Sequence, residues 1–118
     1  MCTRFVYRGS DIITGFNFDI DLSVWTHKVI KEKGRFYIGI LRPDGIYHSY
    51  HGVNQNGNAG TLLYVHGNSA GAYQSGSNCM TIADLTEQFI KAQISFDEVL
   101  QIAKSKKIVY APDATMQA

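Results

Sequence analysis

Turn residues divide the first part of this chain into short runs, and that division constrains the fold more than any other feature. Between the turns β-branched and aromatic residues are frequent, which is typical of antiparallel strands joined by tight connections. The turn at Pro43-Asp44-Gly45 has a physical basis, because proline presets φ and glycine accepts a positive φ. The predicted strands are residues 4–8, 12–16, 28–30, 35–41, 46–51, 59–66 and 108–110, with a polar, glycine-rich loop over 67–78.

Two helices are predicted after the main group of strands. Thr81 followed by Asp84, and Ser95 followed by Glu98, each have the spacing of a capping box. The apolar positions that follow at helical spacing are Ile82, Leu85 and Phe89 in the first helix, and Phe96, Val99, Leu100 and Ala103 in the second. Strands followed by a helix pair predict the α+β class, with one domain over residues 1–118.

Composition excludes several classes of function. With 118 residues, 45% hydrophobic and 18% charged, the chain has the composition of one globular domain. A net charge of +1 without a basic stripe argues against nucleic acid as a partner. No signal peptide is visible, and no stretch approaches the ~20 apolar residues that span a bilayer. We therefore expect a cytoplasmic protein without a membrane partner. Its two cysteines, Cys2 and Cys79, fit a reducing compartment.

The histidines do not predict a metal site. His48 and His51 stand three apart on a predicted strand, so their side chains should point to opposite faces. His27 and His66 are isolated in the sequence. We expect no metal and no cofactor.

Cys2 is the clearest candidate for a catalytic residue. Removal of Met1 leaves a thiol and a free α-amine on the same residue, and that amine has an ordinary pKa of about 8. The residue then supplies both a nucleophile and a base. Position alone is weak evidence, since many small residues follow an initiator methionine. A hairpin of the strands at 4–8 and 12–16 would also return Asp19 toward Cys2, where a carboxylate can hold the amine in place.

Three segments resemble the choloylglycine hydrolase family, which contains bile salt hydrolases and penicillin V acylases. The chain opens Met-Cys-Thr, as that family typically does. Residues 15–19 are Gly-Phe-Asn-Phe-Asp, where the family has Gly-Arg-Asn-Met-Asp. Residues 52–57 match its Gly-x-Asn-x-x-Gly turn, and a predicted strand follows. The segments occur in the family's order, and the resemblance covers essentially the whole chain.

The resemblance implies a role for four residues. Cys2 is the nucleophile with its own amine as base, Asp19 orients that amine, and Asn17 supports Asp19 from the same turn. Tyr64 stands where the family places a residue whose backbone N–H contributes to the oxyanion hole. One departure is Phe16, which replaces the family's arginine and removes a cation that would favour the thiolate.

The implied fold is the αββα sandwich of N-terminal nucleophile hydrolases. Family members are much longer, and residues 111–118 resemble the point where they enter their next strand, so we expect part of the sandwich. Such a part would pair with a missing C-terminal half or form a homo-oligomer. The implied function is a cysteine amidohydrolase acting on small-molecule acyl amides, such as conjugated bile salts, penicillin V-like amides or N-acyl homoserine lactones. The alternative is a catalytically inactive remnant that acts as a binding module.

Overall fold

Strands dominate the first two thirds of the chain and a helix pair follows them. The structure is a computed structural model that describes residues 2–19, 21, 23, 25–63 and 71–110. Its elements are β1 (Thr3–Arg8), β2 (Ile12–Asn17), β3 (His27–Glu32), β4 (Arg35–Leu41), β5 (Tyr47–Asn54), β6 (Ala59–Thr61), β7 (Cys79–Thr81), α1 (Ile82–Ile90), α2 (Phe96–Ser105) and β8 (Lys107–Val109). The α+β class is therefore confirmed.

Three pairings organise the described strands. The β1 and β2 strands form an antiparallel hairpin, and β3, β4, β5 and β6 form an antiparallel sheet in sequence order. The third pairing joins β7 and β8 in parallel. A parallel pair needs a long crossover connection, which the two helices between these strands supply. The sequence did not predict β7, because a run of three residues shows no alternation of its own and becomes a strand only by pairing with β8.

The carboxyl end of α1 is held by two polar side chains of the sheet. The last carbonyls of a helix have no partner within the helix. Asn54 Nδ2 donates to the carbonyl oxygens of Phe89 at 3.0 Å and Ile90 at 3.2 Å. Arg35 Nη1 donates to the carbonyl of Lys91 at 2.9 Å. The β5–β6 connection thereby fixes where α1 ends against the sheet.

The same asparagine builds the turn from which it reaches. Asn54 Oδ1 accepts from the backbone N–H groups of Asn56 at 2.9 Å and Asn58 at 3.3 Å. Gly57 has a φ of +76°, which side-chain-bearing residues rarely adopt. The turn expected from the glycine and asparagine pattern at residues 52–57 is confirmed, and its asparagine and glycine have a structural reason.

A glycine-lined strip of the sheet receives α1. A Cβ on Gly52 would lie 2.6 Å from the Phe36 carbonyl oxygen, and one on Gly60 would lie 2.8 Å from the Ile90 side chain. Ile90 fills the space that these glycines leave and is fully buried. Another part of the core is a cluster of Ile40, Tyr50, Leu62 and Ala83, with Phe18, Trp25 and Ile82 packed against it.

A β-bulge interrupts the pairing of β4 with β5. Ile38 pairs with His51 while Gly39 pairs with Ser49, so Tyr50 is an extra residue on β5. Ser49 and Tyr50 are both buried, although simple alternation would bury only one of them. The bulge is a tertiary feature that the sequence pattern did not reveal.

Two predicted elements differ from those observed. The strand predicted over 59–66 is observed over Ala59–Thr61, and residues 64–66 lie outside the described residues. Helix α2 begins with the predicted capping box at Ser95, but none of its residues is buried. Phe96 remains 59% exposed, because α2 contacts the rest of the described structure along only part of its apolar face. Neither helix is long and apolar enough to cross a membrane, among the residues that the structure describes.

The role of Asn54 generates a testable prediction. Asn54→Asp keeps the oxygen that accepts from the turn but places a carboxylate against the carbonyl groups at the end of α1. We expect a loss of about 3 kcal/mol in the free energy of unfolding at pH 7, measured by urea denaturation. The loss should shrink toward acid pH, because the protonated carboxyl group is neutral.

The matched control is Asn56→Asp on the same turn, where the side chain is exposed. It introduces the same charge and should change stability by less than about 0.5 kcal/mol. Equal losses in the two variants would show that charge on the turn matters and the hydrogen bonds of Asn54 do not.

Candidate functional site

The hairpin places the candidate nucleophile and the candidate carboxylate at the same end. Thr3 pairs with Asn17 and Arg4 with Phe16. Continued by one residue, this register sets Cys2 opposite Phe18, and Asp19 follows directly. The observed pairing ends one residue from Cys2 and two residues from Asp19, and the approach of their side chains stays a prediction. The fourth predicted residue, Tyr64, lies outside the described residues.

The two faces of the hairpin have different surroundings. Directly paired residues share a face, so Arg4 and Phe16 lie together. Alternation adds Cys2 and Phe18 to this face, and the Phe16 and Phe18 ring centroids lie 5.2 Å apart. Asn17 belongs to the opposite face and is exposed. Asn17 thus contributes to this end of the hairpin through its pairing with β1, while its side chain points away from the face that carries Cys2.

Cys2 has the exposure expected of an accessible thiol. It is half-buried and forms no disulfide. Cys79, the other cysteine, lies on β7 and lines a polar cavity of about 330 Å³ with residues such as Asp84 and Lys106. The two thiols therefore have separate surroundings, which makes Cys79 a natural control for Cys2.

Phe16 attaches the hairpin to the four-stranded sheet. Its ring stacks on the imidazole of His51, with centroids 4.6 Å apart and planes inclined by 25°. His51 Nδ1 lies 2.8 Å from Thr61 Oγ1, which joins the contact to β6. Phe16 stands where the resembling family has arginine, and here the position serves packing. The sequence raised only a metal-binding role for His51. Its contacts with Thr61 and Phe16 were not predicted, because these residues are ten and thirty-five positions away along the chain.

The surroundings of His51 favour its neutral form. Burial lowers the pKa of His51 below its usual value of 6.5, and the nearby Arg4 guanidinium lowers it further. The unfolded chain therefore takes up this proton more readily than the folded chain. Neutral His51 contributes stability that is present above pH 6.5 and is lost as the pH falls below that value.

An apolar cavity of about 320 Å³ opens beside this face of the hairpin. It lies between β1, β6 and the two helices. Arg4 is the charged residue among the described residues that line it. The others are Ala59, Gly60, Thr61, Ile82, Leu85, Thr86, Phe89, Phe96 and Val99. Clefts of this size that are mostly apolar, with a few polar groups, are typical binding sites for small molecules. The aromatic side chains of Tyr47, Tyr50 and Tyr73 are not among those that line it.

Away from the apolar cavity, a polar cluster connects β5 to α1. His48 Nε2 lies 2.6 Å from Asp44 Oδ2, and its Nδ1 lies 2.9 Å from Glu87 Oε1. The Ser49 backbone N–H donates to Glu87 Oε2 at 2.6 Å. The two carboxylates contact different ring nitrogens, so they hold the imidazole between them and do not converge on a metal. This cluster was not predicted from the sequence, because Glu87 is distant from His48 along the chain.

The comparisons with known proteins add no relative. No protein-family model matches the chain, and no curated protein or solved structure gives a match.

The environment of His51 can be measured directly. We expect an NMR titration of its ring protons to give a pKa below 6.5, because the ring is half-buried against Phe16. Arg4→Met should raise that pKa part of the way toward 6.5, since it removes the neighbouring cation and leaves the ring buried.

Arg8→Met is the matched control, because Arg8 lies at the far end of the same strand. It should leave the His51 titration almost unchanged. A wild-type pKa at or above 6.5 would contradict the buried stacking. Equal shifts in both variants would show that overall charge, and not the proximity of Arg4, affects His51.

Proposed function

We propose that this chain carries the nucleophile of a cysteine amidohydrolase similar to the choloylglycine hydrolases, acting on a small-molecule acyl amide. The hairpin register supports the proposal most directly. It brings Cys2 and Asp19, which are seventeen residues apart, to the same end of β1 and β2. Within the αββα sandwich that the resemblance implies, this hairpin and the four-stranded sheet with α1 would form part of the layers.

The proposed reaction uses the two groups of an N-terminal Cys2. Removal of Met1 is required, because the nitrogen of a peptide bond cannot accept a proton. The thiol transfers its proton to the α-amine while Sγ attacks the carbonyl carbon of the substrate. The ammonium then protonates the leaving nitrogen, the C–N bond breaks and a thioester remains. Water attacks the thioester, releases a carboxylic acid and restores the thiol.

Asp19 has a supporting role in this proposal. An ionised carboxylate near the α-amine fixes the orientation of that group and stabilises its protonated form. Asp19 is exposed and lies two residues after the end of β2, so the hairpin holds the backbone that leads to it. The oxyanion-hole donor that the resemblance implies is the backbone N–H of Tyr64, with Asn17 as a neighbour of the orienting carboxylate.

The cavity suggests which acyl groups fit. Cys2 and Arg4 share a face, about 7 Å apart along an extended strand, and Arg4 lines the cavity. A cavity of 150 Å³ holds benzene, so about 320 Å³ corresponds to roughly 12 non-hydrogen atoms. A phenoxyacetyl group is of that size, whereas a steroid is larger. The volume thus favours penicillin V-like amides over conjugated bile salts.

The alternative is an inactive remnant that binds a partner, and two observations favour it. Phe16 occupies the position of the family's arginine and is committed to the stack on His51. One face of the hairpin also exposes Phe5, Tyr7 and Ile13 by 60%, 60% and 54%, which is a surface that a second copy or another chain could cover.

The two functions make different predictions for hydrolysis. Chain without Met1, verified by intact mass, should release p-nitroaniline from phenoxyacetyl-p-nitroanilide. Cys2→Ala should lower kcat/KM at least ~10³-fold, because it removes the nucleophile. Asp19→Asn should lower it by roughly 10²–10⁴-fold, because the base is no longer oriented.

Cys79→Ala is the matched control and should retain wild-type activity. Hydrolysis that survives Cys2→Ala would assign the activity to another group or a contaminant. Complete absence of phenoxyacetyl-p-nitroanilide hydrolysis, in chain proven to lack Met1, would favour the binding module.

A further inference from the structure

We propose that the cavity between the hairpin and the helix pair is a binding site for an arylalkyl monocarboxylate, whose carboxylate pairs with Arg4 while its apolar tail lies between α1 and α2. Such an acid is also the product that the proposed hydrolysis would release. The cavity is the one that would hold the acyl group in the proposed function, but binding itself requires neither Cys2 nor a free N-terminus and can be tested without hydrolysis.

The walls of the cavity define the tail. Ala59 and Gly60 of β6 form its floor on the sheet side, and α1 contributes Leu85 and Phe89. Phe96 of α2 closes another side, and its ring meets that of Phe89 edge-on with centroids 6.4 Å apart. Edge-to-face arrangements extend readily to a third aromatic ring. These surfaces favour an aromatic or alkyl tail over a polar one.

Charge complementarity defines the head group. No described carboxylate forms an ion pair with Arg4, and no acidic residue is among the described residues that line the cavity. The remaining polar groups are already engaged: Thr86 Oγ1 donates to the Ile82 carbonyl at 2.8 Å, and Thr61 Oγ1 contacts His51. The cavity thus offers one guanidinium at an apolar wall. A guanidinium forms two parallel hydrogen bonds to a carboxylate.

The charge of the ligand follows from the charged groups that line the cavity. A phosphate dianion is usually held by several cations or a series of backbone N–H groups. Here the neighbouring imidazole of His51 has a lowered pKa and remains neutral at neutral pH. One permanent positive charge matches one negative charge. The volume of about 320 Å³ accommodates roughly 12 non-hydrogen atoms of a ligand.

A pair of probes of nearly equal shape tests the proposal on the wild-type chain. 4-Phenylbutyrate is of the required size, and 4-phenylbutyramide is its neutral counterpart. We expect 4-phenylbutyrate to shift the amide resonances of β6, α1 and the start of α2 in NMR titrations at pH 7. The neutral amide should bind at least about tenfold more weakly, because it loses the charge-assisted pair. Absence of binding by the acid, or equal affinity for both probes, would overturn the proposal.

Two pairs of variants locate the ligand. Arg4→Met should weaken 4-phenylbutyrate binding about tenfold and leave the amide unaffected, whereas Arg8→Met should change neither. Val99→Trp fills the cavity and should abolish binding of both probes. Leu100→Trp adds the same bulk at a neighbouring position that does not line the cavity, and should leave binding intact. Unchanged binding in Val99→Trp, or equal weakening by both arginine variants, would place the ligand elsewhere and overturn the assignment.

Cys2→Ala separates this proposal from the proposed hydrolysis. It should abolish turnover and retain the binding of 4-phenylbutyrate. Loss of binding in a folded Cys2→Ala chain would contradict a site that is independent of the thiol. Binding without any turnover in the wild type would leave the site intact and count against the hydrolase.

Discussion

The hydrogen bonds of Asn54 connect more of this structure than any other single interaction. One side chain closes the turn between β5 and β6 and satisfies two carbonyl groups at the end of α1. Since α1 forms one side of the core and one wall of the cavity, its position on the sheet determines both. Ile90 complements this anchor, because its side chain occupies the space above Gly52 and Gly60. Polar anchoring and apolar packing therefore act at the same turn of the helix.

The hairpin depends on a different contact. A two-stranded hairpin is at most marginally stable alone in water, and among the described strands β1 and β2 pair only with each other. The stack of Phe16 on His51 and the packing of Phe18 against the core hold it to the sheet. In the resembling family an arginine at residue 16 would add charge beside the nucleophile. Here an aromatic ring gives attachment, and Arg4 is the cation paired directly opposite Phe16 on that face of the hairpin.

The site combines residues that are close together in the sequence with residues that are far apart. Hairpin pairing is local, so the pairing of β1 with β2, which ends at Thr3 and Asn17, followed from the length of two strands and one turn. The cavity is assembled from β1, β6, α1 and α2, and its members are separated by up to ninety-five residues. Periodicity marked Phe96 and Val99 as one apolar face of a helix, but it did not show that this face would stay open beside Arg4. The contacts of His48 with Glu87 escaped prediction for the same reason.

By itself the sequence determined what depends on near neighbours. It predicted the α+β class, the turns at Gly45 and Gly57, the two helix caps and the pairing of β1 with β2, because φ preferences, capping and hairpin length act over a few residues. Tertiary structure alone decided the bulge at Tyr50, the strand β7, the exposed face of α2 and the cavity. Each of those depends on which surfaces meet after the chain returns on itself. That outcome is set by packing between distant segments, which no local pattern records.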